Sequence, residues 1–93
     1  MTRDQITSAI LEIFRREFEM EAPGFDDDLR ETGDFDSVDA IELLLEIERL
    51  LKRELTHEEK QMAMEIRTIR QVIDYVELMA SRGEGKGNAN NGF

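Results

Sequence analysis

Four helix-start signatures make a bundle of short helices the favoured fold for this 93-residue chain. In each signature a Thr or Asp is followed three positions later by Gln, Asp or Glu, which is the spacing of a capping box. Each pair also precedes apolar residues that recur with the 3.6-residue period of one helix face. The four pairs are Thr2 and Gln5, Asp36 and Asp39, Thr56 and Glu59, and Thr68 and Gln71. No stretch alternates apolar and polar residues as a strand would, so we predict an all-α fold.

The four predicted helices run from about Arg3 to Glu19, Ser37 to Arg53, His57 to Ile66, and Ile69 to Ala80. The residues predicted to face inward are Ile6, Ile10, Ile13 and Phe14 in the first helix, Ile41, Leu44, Leu45, Ile47 and Leu51 in the second, Met62 and Ile66 in the third, and Ile69, Val72, Ile73 and Val76 in the fourth. Pro23-Gly24 breaks the first helix, so we expect a long first loop that Phe25 and Leu29 pin to the core.

The chain has the length of one domain, which we place at residues 1–81. Residues 82–93 are rich in Gly and Asn and nearly free of apolar side chains before Phe93. Such a segment buries too little surface to offset its chain entropy, so we expect it to be a disordered tail.

The charge balance excludes some classes of partner. The 22 acidic residues outnumber the 12 Lys and Arg, for a net charge of −10, whereas nucleic acid requires a basic face. We expect no nucleic-acid binding and no membrane insertion, since Leu43-Leu44-Leu45 is the longest run of large apolar residues. Basic patches on other proteins are the expected partners, and we expect a monomer. The absence of cysteine and of a signal-peptide pattern favours a cytoplasmic location.

Ser37 occupies the first turn of the acidic second helix, directly after the predicted cap Asp36. Its hydroxyl is expected to be exposed and to lie beside backbone N–H groups that have no partner within the helix. A phosphate on this oxygen would face the positive end of the helix dipole. The position therefore suits a serine that carries a phosphate-linked group.

From about Thr2 to Met79 the chain resembles the acyl carrier protein family. The serine motif of that family, Asp-Ser-Leu, is similar to Asp36-Ser37-Val38, with Val38 in the Leu position. Further similarity lies in Ile41-Glu42-Leu43, Glu48 and Ile73-Asp74-Tyr75-Val76.

The resemblance implies a four-helix bundle of the acyl-carrier-protein type and a covalent 4′-phosphopantetheine on Ser37, next to Asp36. A phosphopantetheinyl transferase would add this arm from coenzyme A, and the arm would carry acyl or aminoacyl groups as thioesters between loading and processing enzymes. The resemblance also implies that the chain is a carrier and not itself an enzyme. The implied partner-binding residues are Asp39, Glu42, Glu46 and Glu48, and the implied lining of an acyl cavity is Ile41, Leu45 and Met62.

Several positions depart from the family pattern. Gly33 stands four residues before the serine instead of three, Arg49 replaces an acidic residue, and Leu55-Thr56 replaces an apolar-Pro step. The segment from Glu58 to Arg67 is longer than usual, so we expect a third helix longer than the short one of the family. These departures leave the cargo and the pathway open.

Other interpretations remain at this point. Ser37 can be an ordinary first-turn polar residue of an acidic interaction module that has no cofactor. Asp28 to Asp39, with Gly33 at its sixth position, invites comparison with a calcium loop, but Arg30 stands where a ligand belongs. His57 is a lone histidine and makes no metal site or catalytic set.

Overall fold

Five helices make up the part of the chain that the computed structural model describes, which is residues 1–21, 24–32 and 35–90, with only the backbone described for residues 32 and 83–90. They are α1 (Arg3–Phe18), α2 (Leu29–Thr32), α3 (Ser37–Leu51), α4 (His57–Ala63) and α5 (Ile69–Asn90). The described residues contain no strand, and the predicted all-α fold is confirmed. None of the described helices has the length and apolarity needed to cross a bilayer.

All four predicted helix starts carry reciprocal capping boxes. Thr2 Oγ1 accepts from Gln5 N at 3.1 Å, and Gln5 Oε1 accepts from Thr2 N at 2.8 Å. Thr68 and Gln71 make the same two bonds at the start of α5, both at 3.1 Å. Because these bonds satisfy N–H groups that lack partners inside the helix, the short-range sequence signal was sufficient to locate the starts.

The core lies between α1, α3 and α5, and its centre is completely buried. Its fully buried side chains include Ile6, Ile10, Phe14, Ile47, Val72 and Val76. Phe35, which is 4% exposed, stacks on Phe14 with ring centroids 5.7 Å apart and meets the edge of Phe18 at 5.3 Å. These rings hold the chain immediately before α3, so the core fixes the point at which that helix begins.

The first loop is partly helical and is tied to the connection before α5. The sequence predicted a loop, but Leu29 begins the one-turn helix α2 and is buried, as an anchor should be. Leu29 N donates to Arg67 O at 2.7 Å, and Arg70 N donates to Phe25 O at 3.0 Å. Arg70 also bonds Asp26 at 2.8 Å and lies over the ring of Phe25. Backbone pairing to a distant segment is a contact that local sequence patterns do not reveal.

The expectation of a longer third helix is wrong. α4 has seven residues and ends at Ala63 instead of near Ile66. Met64 N donates to Gln61 O at 3.1 Å, and Ile66 N donates to Ala63 O at 3.1 Å, so tight turns follow the helix. The Met64 carbonyl accepts from Arg30 Nη2 at 2.9 Å. The added residues therefore form a connection that binds the first loop.

The last helix continues to Asn90, past the end predicted near Ala80. The prediction gave weight to the glycines at 83, 85 and 87, each of which weakens a helix interior. Backbone hydrogen bonding that propagates from the packed turns of α5 carries the helix through them. Residues 91–93, the end of the predicted tail, lie outside the described residues.

A buried carboxylate on α4 connects the segment that follows α3 to the interior turns of α5. Glu59, which is 4% exposed, accepts from Arg53 Nη1 at 3.1 Å and from Thr56 N at 2.8 Å. Arg53 also donates to Met79 O at 3.1 Å, and the Tyr75 hydroxyl donates to Glu59 O at 2.7 Å. The hydrogen bond from Arg53 lowers the pKa of Glu59 to about 2, and burial raises the pKa of Tyr75 to about 12. This cluster connects the end of α3 to α4 and α5.

We predict that Glu59 makes the fold sensitive to acid. Its folded pKa lies below the ordinary value of 4.5, so its stabilisation is complete above pH 4.5 and is lost as the pH falls toward 2. Glu59→Gln should lower the free energy of unfolding at pH 7 by about 2–4 kcal/mol. It should also flatten the decline between pH 4.5 and 2, as urea unfolding at a series of pH values will measure.

The matched control is Glu58→Gln, which changes an exposed carboxylate in the same turn of α4. It should leave both the stability and its pH dependence close to those of the parent chain. Equal losses in the two variants would contradict the structural role of Glu59.

Candidate functional site

The start of α3 is fixed by two carboxylates that cap each other's backbone. Asp36 is extended, and its Oδ1 accepts from Asp39 N at 3.0 Å. Asp39 Oδ2 accepts from Asp36 N at 3.2 Å. This box, together with buried Phe35 before it, makes Ser37 the first residue of the helix.

Ser37 is exposed, as the sequence predicted for the first turn. Within the described residues, no acceptor takes the N–H of Ser37 or Val38, whereas Asp39 N and Ala40 N are bound by Asp36. These two open N–H groups lie at the positive end of a 15-residue helix. The chemistry of this donor set fits a phosphate ester on Ser37, because the hydroxyl is accessible and the neighbouring donors suit phosphate oxygens.

An exposed apolar stripe runs along α3 from the first turn. Val38 is 71% exposed, Ile41 55% and Leu45 47%, at positions i, i+3 and i+7. The prediction that Ile41 and Leu45 face the core is wrong, because Ala40, Leu43, Leu44 and Ile47 take that role. α3 is apolar on two faces, and the helical period does not tell which face meets α1 and α5. Exposed Val38 was missed, although its spacing from Ile41 was a visible signal.

A groove of about 340 Å³ lies between α3 and α4, one turn beyond Ser37. Its lining is Ile41, Leu44, Leu45, Glu48, His57, Lys60, Gln61 and Met64. Two predicted cavity residues, Ile41 and Leu45, are therefore at the groove. Met62 does not line it and is 42% exposed on another side of α4, while Met64 lines it instead. His57, Lys60, Gln61 and Met64 share the i, i+3, i+4, i+7 spacing of one helix face, but that spacing does not show that the face lies opposite α3.

Glu46 is not part of an exposed acidic stripe, so its predicted place on the docking face is wrong. Its side chain is 6% exposed, and its two oxygens accept from Arg16 at 2.8 Å and from Arg49 at 3.1 Å. Arg16 reaches it from α1, which the spacing within α3 does not indicate. Glu46 therefore stabilises the contact between α1 and α3 and has no free oxygen for a partner.

The other predicted docking residues differ in availability. Asp36 is exposed, and Asp39 and Glu42 are half-buried at the surface near Ser37. Glu48 accepts from Leu55 N at 2.8 Å and lies 3.9 Å from Lys60 Nζ, so it is committed to the connection between α3 and α4. Among the described residues, the acidic surface closest in sequence to Ser37 is therefore formed by the first two turns of α3.

The calcium-loop interpretation does not fit the described part of its segment. Positions 29–32 form α2, and Asp28 Oδ1 accepts from Arg30 N at 2.9 Å at the start of that helix. Gly33, the glycine of the proposed loop, lies outside the described residues. Elsewhere the oxygens of Glu17, Glu42 and Glu46 approach within 4.8 Å of one another, but Arg16 already bonds two of these carboxylates.

A comparison with protein families gives the decisive observation. The family model described as phosphopantetheine attachment site matches residues 8–76, a span that contains Ser37, α3 and the groove. This chain belongs to the phosphopantetheine attachment site family. The resemblance to acyl carrier proteins is confirmed, and 4′-phosphopantetheine, bound covalently, is the cofactor. No curated protein matches the chain.

We predict that the carrier chain needs Glu46 for stability. Glu46→Gln should lower the free energy of unfolding by about 1–3 kcal/mol, because it removes the buried charge that pairs with both Arg16 and Arg49. Glu42→Gln, one turn earlier on a half-buried side chain, should change it by less than about 0.5 kcal/mol. Urea unfolding at pH 7 measures both. An effect of Glu42→Gln as large as that of Glu46→Gln would contradict this assignment.

Proposed function

We propose that this chain carries acyl or aminoacyl groups on a 4′-phosphopantetheine arm attached to Ser37. The observation that carries the proposal is the position of an exposed serine at a helix start whose first N–H groups are open, within the span that matches the family. The thiol of the arm supplies the atom that holds the cargo as a thioester. The chain itself positions the arm and is not an enzyme.

Attachment requires a transferase. Ser37 Oγ attacks the phosphorus on the pantetheine side of the coenzyme A pyrophosphate, a new O–P bond forms, and adenosine 3′,5′-bisphosphate leaves with the old bridging oxygen. The hydroxyl proton passes to a base. His57, the one histidine of the chain, lies on α4 at the groove and not on α3. The base, or the metal that replaces it, therefore comes from the transferase.

The partner surface is proposed to be the first half of α3. Asp36, Asp39 and Glu42 supply negative charge, and Val38 and Ile41 supply exposed apolar contact beside Ser37. Basic patches on the transferase and on loading and processing enzymes complement this surface. Exposed ion pairs are individually weak and respond to salt, so each partner is released quickly.

The groove is the proposed binding site of the cargo, and Ile41 and Leu45 are two of the apolar residues that line it. Residues 1–81 are proposed as the carrier domain and residues 82–93 as a tail outside it. A monomeric, cytoplasmic carrier of fatty-acid, lipid or specialised biosynthesis agrees with the acidic, cysteine-free composition. The interaction module without a cofactor remains the alternative by sequence, but the family match favours the carrier.

We predict that the serine hydroxyl is required for loading. Incubation with a broad-specificity phosphopantetheinyl transferase and coenzyme A should raise the intact mass by one arm. Ser37→Ala should show no rise, because it lacks the nucleophilic oxygen. Ser8→Ala, which removes an exposed hydroxyl from α1, is the matched control and should load fully. An arm on the Ser37→Ala chain would place the attachment elsewhere.

We predict that charge on the proposed partner surface sets the rate of loading. Glu42→Lys should lower kcat/KM for the transferase by roughly tenfold at low ionic strength, since it weakens electrostatic steering. The loss should shrink as salt is added. Glu58→Lys makes the same charge change on α4 and should have a much smaller effect. Equal effects from the two variants would mean that only net charge matters.

A further inference from the structure

The groove between α3 and α4 presents an almost wholly apolar surface, and one of the residues that line it lies just past a helix end. Ile41, Leu44 and Leu45 line it from α3, a 15-residue helix that packs on the core. Met64 lines it from the position that follows α4, which has only seven residues. Because a helix this short is marginal on its own, contacts with other segments must hold Met64 in position.

The first loop provides such a contact through the side chain of Arg30. Turns after α4 satisfy the carbonyls that precede Met64, since Gln61 O accepts from Met64 N and Ala63 O from Ile66 N, both at 3.1 Å. Among the described residues, the Met64 carbonyl is instead bound by Arg30 Nη2, which donates at 2.9 Å. A hydrogen bond from a cation to a carbonyl at a helix end is stronger than one between neutral groups. Arg30 therefore fixes the turn that carries Met64.

The segment that supplies Arg30 is itself anchored. Leu29, the preceding residue, is buried, and its N–H donates to Arg67 O at 2.7 Å. The first loop thus bonds the connection after α4 at the carbonyls of both Met64 and Arg67. Of these two bonds, only that to Met64 is made by a side chain. A substitution at Arg30 therefore releases Met64 and leaves the backbone pairing in place.

A groove with a fixed wall limits the length of an apolar chain that it can cover. Each methylene group that leaves water for the apolar surface stabilises the loaded protein, and this gain ends when the groove is filled. A longer chain must then displace a packed side chain or leave its end in water. If the turn at Met64 is free to move, the groove lengthens and the gain continues to longer chains.

We propose that Arg30 is a positioning residue that holds Met64 in place and thereby limits the length of the acyl chain that the groove accepts. The inference rests on the proposed function, because the cargo reaches the groove on the arm of Ser37. Ile41, the groove residue of α3 nearest to Ser37 in sequence, lies about 6 Å farther along the helix axis. The cargo class is the hydrocarbon acyl group, which matches the apolar surface.

The experiment loads the full chain through the transferase with amide-linked arms that carry saturated acyl groups of about four to about fourteen carbons. Intact mass confirms loading. The melting temperature at pH 7 is measured for each form and for the arm without an acyl group. Arg30→Met removes the guanidinium and keeps an apolar stem, and Arg30→Lys keeps a cation. Arg3→Met is the matched control, since it removes an exposed arginine that pairs with Asp74 and Glu77 of α5.

We expect the melting temperature of the parent chain to rise by roughly 2 °C for each added methylene group until the groove is filled, and then to level off. In Arg30→Met the rise should continue for at least about two more carbons, because the wall is released. Arg30→Lys and Arg3→Met should level off at the same length as the parent chain. Met64→Ala, which shortens the wall itself, should extend the rise in the same way as Arg30→Met.

A purely structural Arg30 would lower the melting temperature of every form equally and leave the levelling length unchanged, and that result overturns the inference. A levelling length that falls in Arg30→Met also overturns it. So do a rise that never levels in the parent chain and loaded forms that all melt like the arm alone, while attachment to Ser37 stands. A chain that never gains an arm overturns the proposed function as well.

Discussion

The reciprocal capping box of Asp36 and Asp39 fixes where α3 begins, and the placement of Ser37 depends on that start. Each carboxylate accepts one backbone N–H of the other residue, at 3.0 and 3.2 Å. Phe35, the residue before Asp36, is held in the core by stacking on Phe14. The hydroxyl is therefore exposed at the start of a helix, which is a more rigid support for the proposed arm than a loop would be. The same two carboxylates keep the surroundings of Ser37 acidic.

Although the net charge of the chain is −10, two carboxylates of its described residues, those of Glu46 and Glu59, lie in the interior. Glu46 is neutralised by Arg16 and Arg49, and Glu59 by Arg53, so each buried charge has the partner it requires. The pair of Arg16 and Glu46 links α1 to α3, and the pair of Arg53 and Glu59 links the segment after α3 to α4. The acidic side chains left for partners along α3 are those of its first two turns, beside Ser37. Within α3, Glu46 thus stabilises the fold, whereas Asp39 and Glu42 are the carboxylates proposed to meet partners.

Local signals of the sequence were sufficient for the helices and for the serine. The four capping pairs gave the starts of α1, α3, α4 and α5, and the helical period gave Ile6, Ile10 and Ile47 as core residues. Such signals depend on residues three or four positions apart, which the chain itself brings together.

Predictions that depended on distant contacts did not hold. Glu46 is buried because Arg16, thirty residues earlier, reaches it, and Ile41 is exposed because α3 has two apolar faces. α4 ends at Ala63, and the carbonyl of the next residue, Met64, accepts a hydrogen bond from Arg30 in the first loop. Lys60 and Met64 line a groove only because α3 lies opposite them. Helical spacing alone therefore did not mark them as part of a site.

Peptide mapping by mass spectrometry of the protein purified from its own cells tests the central claim most directly. The account predicts one phosphopantetheine arm, found on the peptide that contains Ser37 and localised to that residue by fragmentation. The mass of any group on the thiol would also name the cargo. An arm on a different residue, or a Ser37 that stays unmodified in those cells, would contradict the account.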